Sequence, residues 1–274
     1  MSTEFKLSRL FALTGVLVLL LSGLPAYAKS KEPVETGKIL TRNYDFKEAG
    51  KSVDYALYVP TSYKKKPAPL VVLLHGLGSN PAQIMGYDGI ASEAEKHGFI
   101  VVAPFGYNTS GWYGALGWGK DFKVGRVPAD APANLGELSE KDVLNVLALI
   151  EKEFKIDKKR VYLMGHSMGG GGSLYLGMKY PDKWAALAAL APAVYSSPDE
   201  LVKIRDMPII VVQGDKDTLV PVENTRKWIA KMDELKMNHK YIEIPEGNHF
   251  NTITRNGAMI AEVFAFLSEQ KRKK

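Results

Sequence analysis

The sequence predicts an α/β fold, with a mostly parallel central sheet flanked by helices on both faces. Three observations point there. Five apolar runs, at 70–74, 99–103, 161–164, 185–190 and 209–212, are continuous where a half-exposed strand would alternate. That is the pattern of strands buried on both faces of a sheet. Helical segments fall between these runs, and strands alternating with helices build βαβ units with parallel pairing. No shift in composition and no internal repeat divides the chain, so one main domain is expected.

Residues 38–46 and 53–59 read as two strands joined at Glu48-Ala49-Gly50-Lys51. The second places Val53, Tyr55, Leu57 and Val59 on one face. A basic, proline-bearing connection follows at 63–69, in which Lys64-Lys65-Lys66 is a solvated turn. The strand at 70–74 ends in His75-Gly76. A helix is predicted over 81–97, because Asn80 is a good cap and Pro81 suits the first helical position. The strand at 99–103 leads into 105–138, a long segment rich in Gly, Trp, Tyr and Pro. A loop of that length inside a compact domain is functional or disordered. A second helix is predicted over 139–154, with Ser139 as cap and Asp142 three residues on in a capping-box arrangement. Val143, Leu144, Leu147 and Ile150 then recur at helical spacing. Helices over 222–237 and 252–270 enclose a β-rich segment at 240–244.

Of the 274 residues, 46% are hydrophobic and 24% charged, which excludes disordered, collagen-like and disulfide-scaffold classes. There is no cysteine, so thiol nucleophiles, zinc–thiolate and iron–sulfur sites and lipidated cysteines are excluded. The net charge of +6 is modest for this length and makes no nucleic-acid footprint. At the N-terminus, Lys6 and Arg9 precede an uncharged apolar run at 11–24 that ends in Pro25-Ala26-Tyr27-Ala28. This is the pattern of a secretory signal peptide. Its apolar run is short for a membrane span. Cleavage is expected after Ala28. That makes 1–28 a signal peptide and 29–274 a secreted or periplasmic domain; the other reading is an uncleaved membrane anchor. Lys271-Arg272-Lys273-Lys274 is a solvated tail.

The sharpest motif is Gly165-His166-Ser167-Met168-Gly169. It follows an apolar strand and precedes a helix, the context of a G-x-S-x-G nucleophile elbow. The serine sits on a strained strand-to-helix turn whose flanks have no room for side chains. The following helix N-terminus favours developing negative charge. A serine hydroxyl needs a base, and the chain has five histidines. His75 belongs to the strand-end His75-Gly76-Leu77-Gly78. His97 precedes Gly98 as a helix cap. His166 lies in the elbow and points away from Ser167. His239 begins the last strand. His249 remains as the base, in the loop Pro245-Glu246-Gly247-Asn248-His249-Phe250. A carboxylate must fix its tautomer. Asp215 and Asp217 both lie at the carboxyl end of the strand at 209–212, where open α/β sheets build their sites. Four consecutive glycines, Gly169 to Gly172, open the helix after the elbow. Gly169 and Gly170 serve close packing. Gly171 and Gly172 should each weaken a helix by roughly 1 kcal/mol relative to alanine, and the sequence offers no reason for them.

With these motifs the chain resembles the α/β-hydrolase superfamily. Within it, it is similar to the secreted single-domain carboxylesterases related to feruloyl esterases, polyhydroxyalkanoate depolymerases and the phospholipase/carboxylesterase group. The resemblance runs from about Val53 to Phe266. It rests on His75-Gly76-Leu77-Gly78, the elbow, the segment from Gly214 to Pro221, Gly247-Asn248-His249 and the Ser, Asp, His order. It implies an α/β-hydrolase fold. It implies that Asp217, the second acid of its G-x-x-D-x-x-V-P segment, is the triad member and Asp215 a supporting acid. It also implies that the backbone N–H groups of Leu77 and Met168 form an oxyanion hole. Trp112, Tyr113 and Trp118 stand where related enzymes shape a substrate pocket. They either stack on a substrate ring or anchor the loop on the core. His166 is a further substrate-binding candidate.

The expectation is a secreted serine carboxylester hydrolase that uses Ser167, Asp217 and His249, forms an acyl-enzyme and needs no metal or organic cofactor. Its partner is a small-molecule or polymeric ester, of feruloyl, polyester or polysaccharide type. No nucleic-acid partner is expected, and no stable membrane span after cleavage. One alternative is a serine peptidase of the prolyl oligopeptidase type, which usually carries an extra domain for which 246 residues leave no room. Another is a non-catalytic binding protein on the same fold, which intact Ser, Asp and His candidates oppose.

Overall fold

The computed structural model of the chain describes residues 35–118 and 131–272, with 116–118 described by backbone alone. The predicted signal peptide and the side chain of Trp118 lie outside the described residues. The chain from Glu35 onward forms one unit.

All eight predicted strands form: β1 (Ile39–Phe46), β2 (Lys51–Tyr58), β3 (Ala68–Leu74), β4 (Ile100–Pro104), β5 (Ile156–His166), β6 (Ala186–Leu190), β7 (Ile209–Gly214) and β8 (His239–Ile244). They make one sheet in the order β1-β2-β4-β3-β5-β6-β7-β8. The β1–β2 and β2–β4 pairs are antiparallel, and every pair from β4 to β8 is parallel. The continuous apolar runs are the reason. Strands β3, β4, β6 and β7 are buried along their whole length, which requires helices on both faces. Strand β2 alternates only at its start. From Tyr55 to Tyr58 it is buried on both faces, where it pairs with β4.

The helices are α1 (Pro81–Met85), α2 (Ile90–His97), α3 (Leu135–Glu153), α4 (Met168–Lys179), α5 (Val222–Glu234), α6 (Asn251–Thr254) and α7 (Gly257–Glu269). One sheet face, with Val71, Leu73, Tyr162 and Ile210, packs on Ile84, Ile90, Ile260 and Phe264 of α1, α2 and α7. Helices α3 to α5 cover the other face. Among the described residues no helix is long and apolar enough to cross a membrane.

Two predicted helices are each broken, and for one shared reason. The segment 81–97 splits at Gly86 to Gly89, and 252–270 splits before Gly257. The two breaks meet: Asp88 N–H donates to Thr254 O at 3.0 Å. Gly89 has φ +91°, and a Cβ there would lie 3.1 Å from Gly257 Cα and from Ile260. The Asn80 cap holds as predicted, accepting from Gln83 N–H at 3.0 Å.

The predicted capping box at Ser139 and Asp142 is corrected. Helix α3 begins four residues earlier, so both residues stand inside it, buried. They face the loop after β4 and serve its amides. Ser139 Oγ accepts from Tyr113 N–H at 3.0 Å. Asp142 accepts from Gly106 N–H at 2.6 Å, Tyr107 N–H at 3.3 Å and Tyr44 O–H at 2.6 Å. Burial pushes the Asp142 carboxyl up to about 6 despite these donors. A buried loop must find partners for its backbone, and here the helix beside it supplies them.

Candidate active site

The parallel strands β3 to β8 deliver their following loops to one edge, and the predicted residues converge there. Ser167 follows β5 directly, at φ +58° and ψ −118°. Such a conformation costs about 1–3 kcal/mol in a residue with a side chain and persists only where its surroundings dictate it. Three backbone hydrogen bonds do so. Ser167 N–H donates to Leu190 O at 2.9 Å, and Ser167 O accepts from Gly171 and Ala193 N–H at 3.0 Å each.

The glycine run now has its account. A Cβ on Gly165 would sit 2.2 Å from Gly169 O, one on Gly169 2.1 Å from Leu74 O, and one on Gly171 2.2 Å from Ala193 O. One on Gly170 would meet Leu190 O at 2.8 Å, and one on Gly172 the Tyr113 ring at 2.6 Å. Helix α4 therefore starts wedged between the ends of β3 and β6. At each of Gly169 to Gly172 a Cβ would meet a neighbouring atom at 2.8 Å or less.

His249 lies in the loop after β8 and Asp217 in the loop after β7. The two loops are tied together: Asp215 N–H donates to Ile244 O at 3.1 Å and Lys216 N–H to Gly247 O at 2.9 Å. Gly214 allows this approach, since its Cβ would lie 2.3 Å from Gly247 O. His249 Nδ1 is 2.6 Å from Asp217 Oδ2, and its Nε2 is 2.9 Å from Ser167 Oγ. The carboxylate only accepts, so Nδ1 carries the ring proton and Nε2 faces the serine hydroxyl as acceptor. Burial would raise the Asp217 pKa. Hydrogen bonds from His249 and from the Val220 and Leu219 amides outweigh it and hold the carboxyl below its ordinary range.

Gln213 is a residue that sequence reasoning missed. It is fully buried at the end of β7. Its Nε2 donates to Asp217 Oδ2 at 2.8 Å and to Val220 O at 3.1 Å, and its Oε1 accepts from Thr225 O–H at 2.9 Å. The signal was present: a polar side chain closing an apolar buried run needs partners. Asp215 takes no such part. Its Oδ1 is buried with no hydrogen-bond partner among the described residues.

His166 lines the same cavity as Ser167 and packs its ring against His249, centroids 5.0 Å apart. Its Nε2 donates to His249 O at 3.0 Å, and its Nδ1 accepts from Tyr87 O–H at 3.0 Å. Burial, followed by the neighbouring His249, lowers its pKa to about 3, so it stays neutral. His75 is buried between the Gly76 and Phe105 carbonyls, 2.8 Å from each.

A cavity of about 300 Å³ opens over Ser167 and His249. Leu77 and Trp112 line it, with His166 at its side. Tyr113 does not. It is fully buried, donates its hydroxyl to His75 O at 3.1 Å and packs on Gly172. Of the two readings of that pair, Tyr113 anchors the loop, while Trp112 borders the cavity beside Tyr195, ring centroids 5.9 Å apart. Neither the Leu77 nor the Met168 amide has a hydrogen-bond acceptor among the described residues. No group of three or more metal-ligating side chains occurs among the described residues.

A parallel sheet in this strand order, with a strained serine after β5 and an acid and a histidine after β7 and β8, defines the α/β-hydrolase fold. A solved thermostable esterase shares it, with a TM-score of 0.62 and 27% identity over 85% of this chain and 63% of that one. The Esterase family model matches residues 47–257, and the chain belongs to that family. It is 31% identical over 147 residues to S-formylglutathione hydrolase of Rattus norvegicus, covering 50% of this chain and 51% of the relative. It is 28% identical over 142 residues to feruloyl esterase B of Neurospora crassa, covering 51% and 44%. The chain thus spans about half the length of these curated relatives.

Proposed function

We propose that this chain hydrolyses carboxylic esters, with Ser167 as nucleophile, His249 as base and Asp217 as the acid that orients it. The observation that carries the reading is the continuous hydrogen-bond chain Ser167–His249–Asp217, at 2.9 and 2.6 Å, beneath an open cavity. Ser167 Oγ attacks the ester carbonyl carbon while His249 Nε2 takes its proton. The carbonyl electron pair moves onto oxygen, where the Leu77 and Met168 amides receive it. Collapse expels the alcohol, which takes the proton from Nε2 and leaves an acyl-serine. Water, activated by the same imidazole, then releases the acid. His166 does not compete as base, because its low pKa leaves it without affinity for a proton at neutral pH. Membership of the Esterase family supports ester over peptide substrates. The relatives' names differ in acyl and leaving group, so they support the reaction class rather than one substrate.

The acid is tested by three substitutions read as kcat on a p-nitrophenyl ester. Asp217→Asn is expected to lose about 10⁴-fold, as a wrong imidazole tautomer does. Asp215→Asn should stay within a few-fold. Gln213→Leu falls between, at roughly 10- to 100-fold, the scale of one hydrogen bond to a charged group. A larger loss from Asp215→Asn than from Asp217→Asn would reassign the acid.

Export belongs to the same proposal and rests on residues 1–28 alone. N-terminal sequencing of exported protein is expected to begin at Lys29. Retention in the membrane with an intact Met1 would instead make the apolar run an anchor.

A further inference from the structure

We propose that the cavity selects uncharged, apolar esters and rejects anionic ones, and that Leu77, Tyr195, Leu219 and Phe250 set this selection. The inference rests on the reading of Ser167 as nucleophile and narrows it to a substrate class. Six large hydrophobic side chains are exposed among the described residues, and these four border the one cavity over Ser167. Single exposed apolar residues need no explanation, but a cluster around a concave site marks a binding surface. The four come from the loops after β3, β6, β7 and β8, so four separate loops each bring a large hydrophobic side chain to the cavity, beside the polar Ser79 and Tyr87. Phe250 stands edge-on to His249, ring centroids 5.2 Å apart at 86°.

The complementary observation concerns charge. Among the described residues lining the cavity there is no Asp, Glu, Lys or Arg. A carboxylate on a bound acyl group would lose its hydration against Leu219, Phe250 and Tyr195 and find no cation in exchange among the described lining residues. Asp217 touches the lining through His249 and is itself negative, so it adds repulsion. An alkyl or aryl group in the same position gains by leaving water, roughly fourfold per buried methylene.

A matched substrate pair tests this with the full chain. The p-nitrophenyl esters of butyric and succinic acid share a four-carbon acyl group and differ in a terminal methyl against a carboxylate. At neutral pH, kcat/KM for the butyrate ester is expected to exceed that for the acetate ester by about tenfold and that for the succinate ester by at least ~100-fold. Succinate turned over within threefold of butyrate overturns the proposal. Phe250→Ser should shrink the butyrate-over-acetate ratio several-fold through KM. Leu219→Arg should raise succinate turnover at least ~tenfold by supplying the missing cation. Ratios unmoved by both variants overturn the assignment of these residues. A fluorophosphonate probe run alongside separates the two levels. Labelling of Ser167 with no discrimination between the esters sinks the selection alone. No labelling and no turnover of any ester sinks the hydrolase reading, and this inference with it.

Discussion

Ser167→Ala is expected to lower ester hydrolysis by roughly 10⁴- to 10⁶-fold while the folded state is retained. The two halves of that expectation come from different parts of the structure. The hydroxyl is the group that meets His249 at 2.9 Å. Without it the imidazole has no proton to take, and water must attack without the advantage of a fixed geometry. The elbow, in contrast, is held by the backbone of Ser167 through Leu190, Gly171 and Ala193. Alanine leaves those three bonds in place. The positive φ is as costly for alanine as for serine, so the strain remains and the fold is not relieved of it. Circular dichroism and the thermal midpoint should therefore stay close to the parent. Labelling by a fluorophosphonate probe should disappear. Labelling that survives at any comparable rate would move the nucleophile elsewhere.

The second large effect reverses an ordinary rule. Replacing glycine by alanine inside a helix usually stabilises, by about 0.4–1 kcal/mol. Gly171→Ala is expected to do the opposite and to cost several kcal/mol, enough to leave little soluble protein. Its Cβ would lie 2.2 Å from Ala193 O, and backbone on the neighbouring loop cannot swing aside as a side chain does. Any retreat of that loop also breaks the Ala193 N–H bond to Ser167 O. Gly169→Ala should behave alike, since its Cβ would meet Leu74 O at 2.1 Å. Gly136→Ala is the control. It lies in α3, where a Cβ meets Gly114 Cα at an ordinary 3.5 Å, so it should leave the thermal midpoint unchanged or raise it slightly. Soluble Gly171→Ala protein with a raised midpoint would refute the wedged packing described for α4.

The contrast between those glycines shows what was legible in the sequence. Strand positions could be read because β3, β4, β6 and β7 are apolar on both faces, a local property. The members of the Ser167–His249–Asp217 hydrogen-bond chain could be picked out because reactive groups were few: five histidines, and two acids after β7. What could not be read were most of the close approaches: the sequence points to tight packing at Gly169 and Gly170 and offers no reason for Gly171 and Gly172. Nothing at Gly171 or Gly172 announces that Ala193 O and the Tyr113 ring press on them. Ser139 and Asp142 have the spacing of a cap, and only the loop packed beside them shows that they bind amides instead. The breaks at Gly89 and Gly257 are of the same kind, each required by the other. Gln213 lay in view as a polar residue ending a buried run. Its partner could be identified only once β7 and its loop were folded.

The candidate site draws its groups from two regions of the sheet. Ser167 rides on β5, whose neighbours β3 and β6 are buried throughout, while His249 and Asp217 ride on the loops of β7 and β8, the last of these an edge strand half open to solvent. The cross-links between those two loops join them into one unit, which the bond from His166 Nε2 to His249 O at 3.0 Å ties to the elbow. Fraying spreads inward from an edge, so heat is expected to separate His249 from the Ser167 hydroxyl before it loosens the elbow. Thermal inactivation is then expected to begin at the sheet's margin, and reinforcing β8 and its loop is expected to delay it more than changes to a core that is already closed.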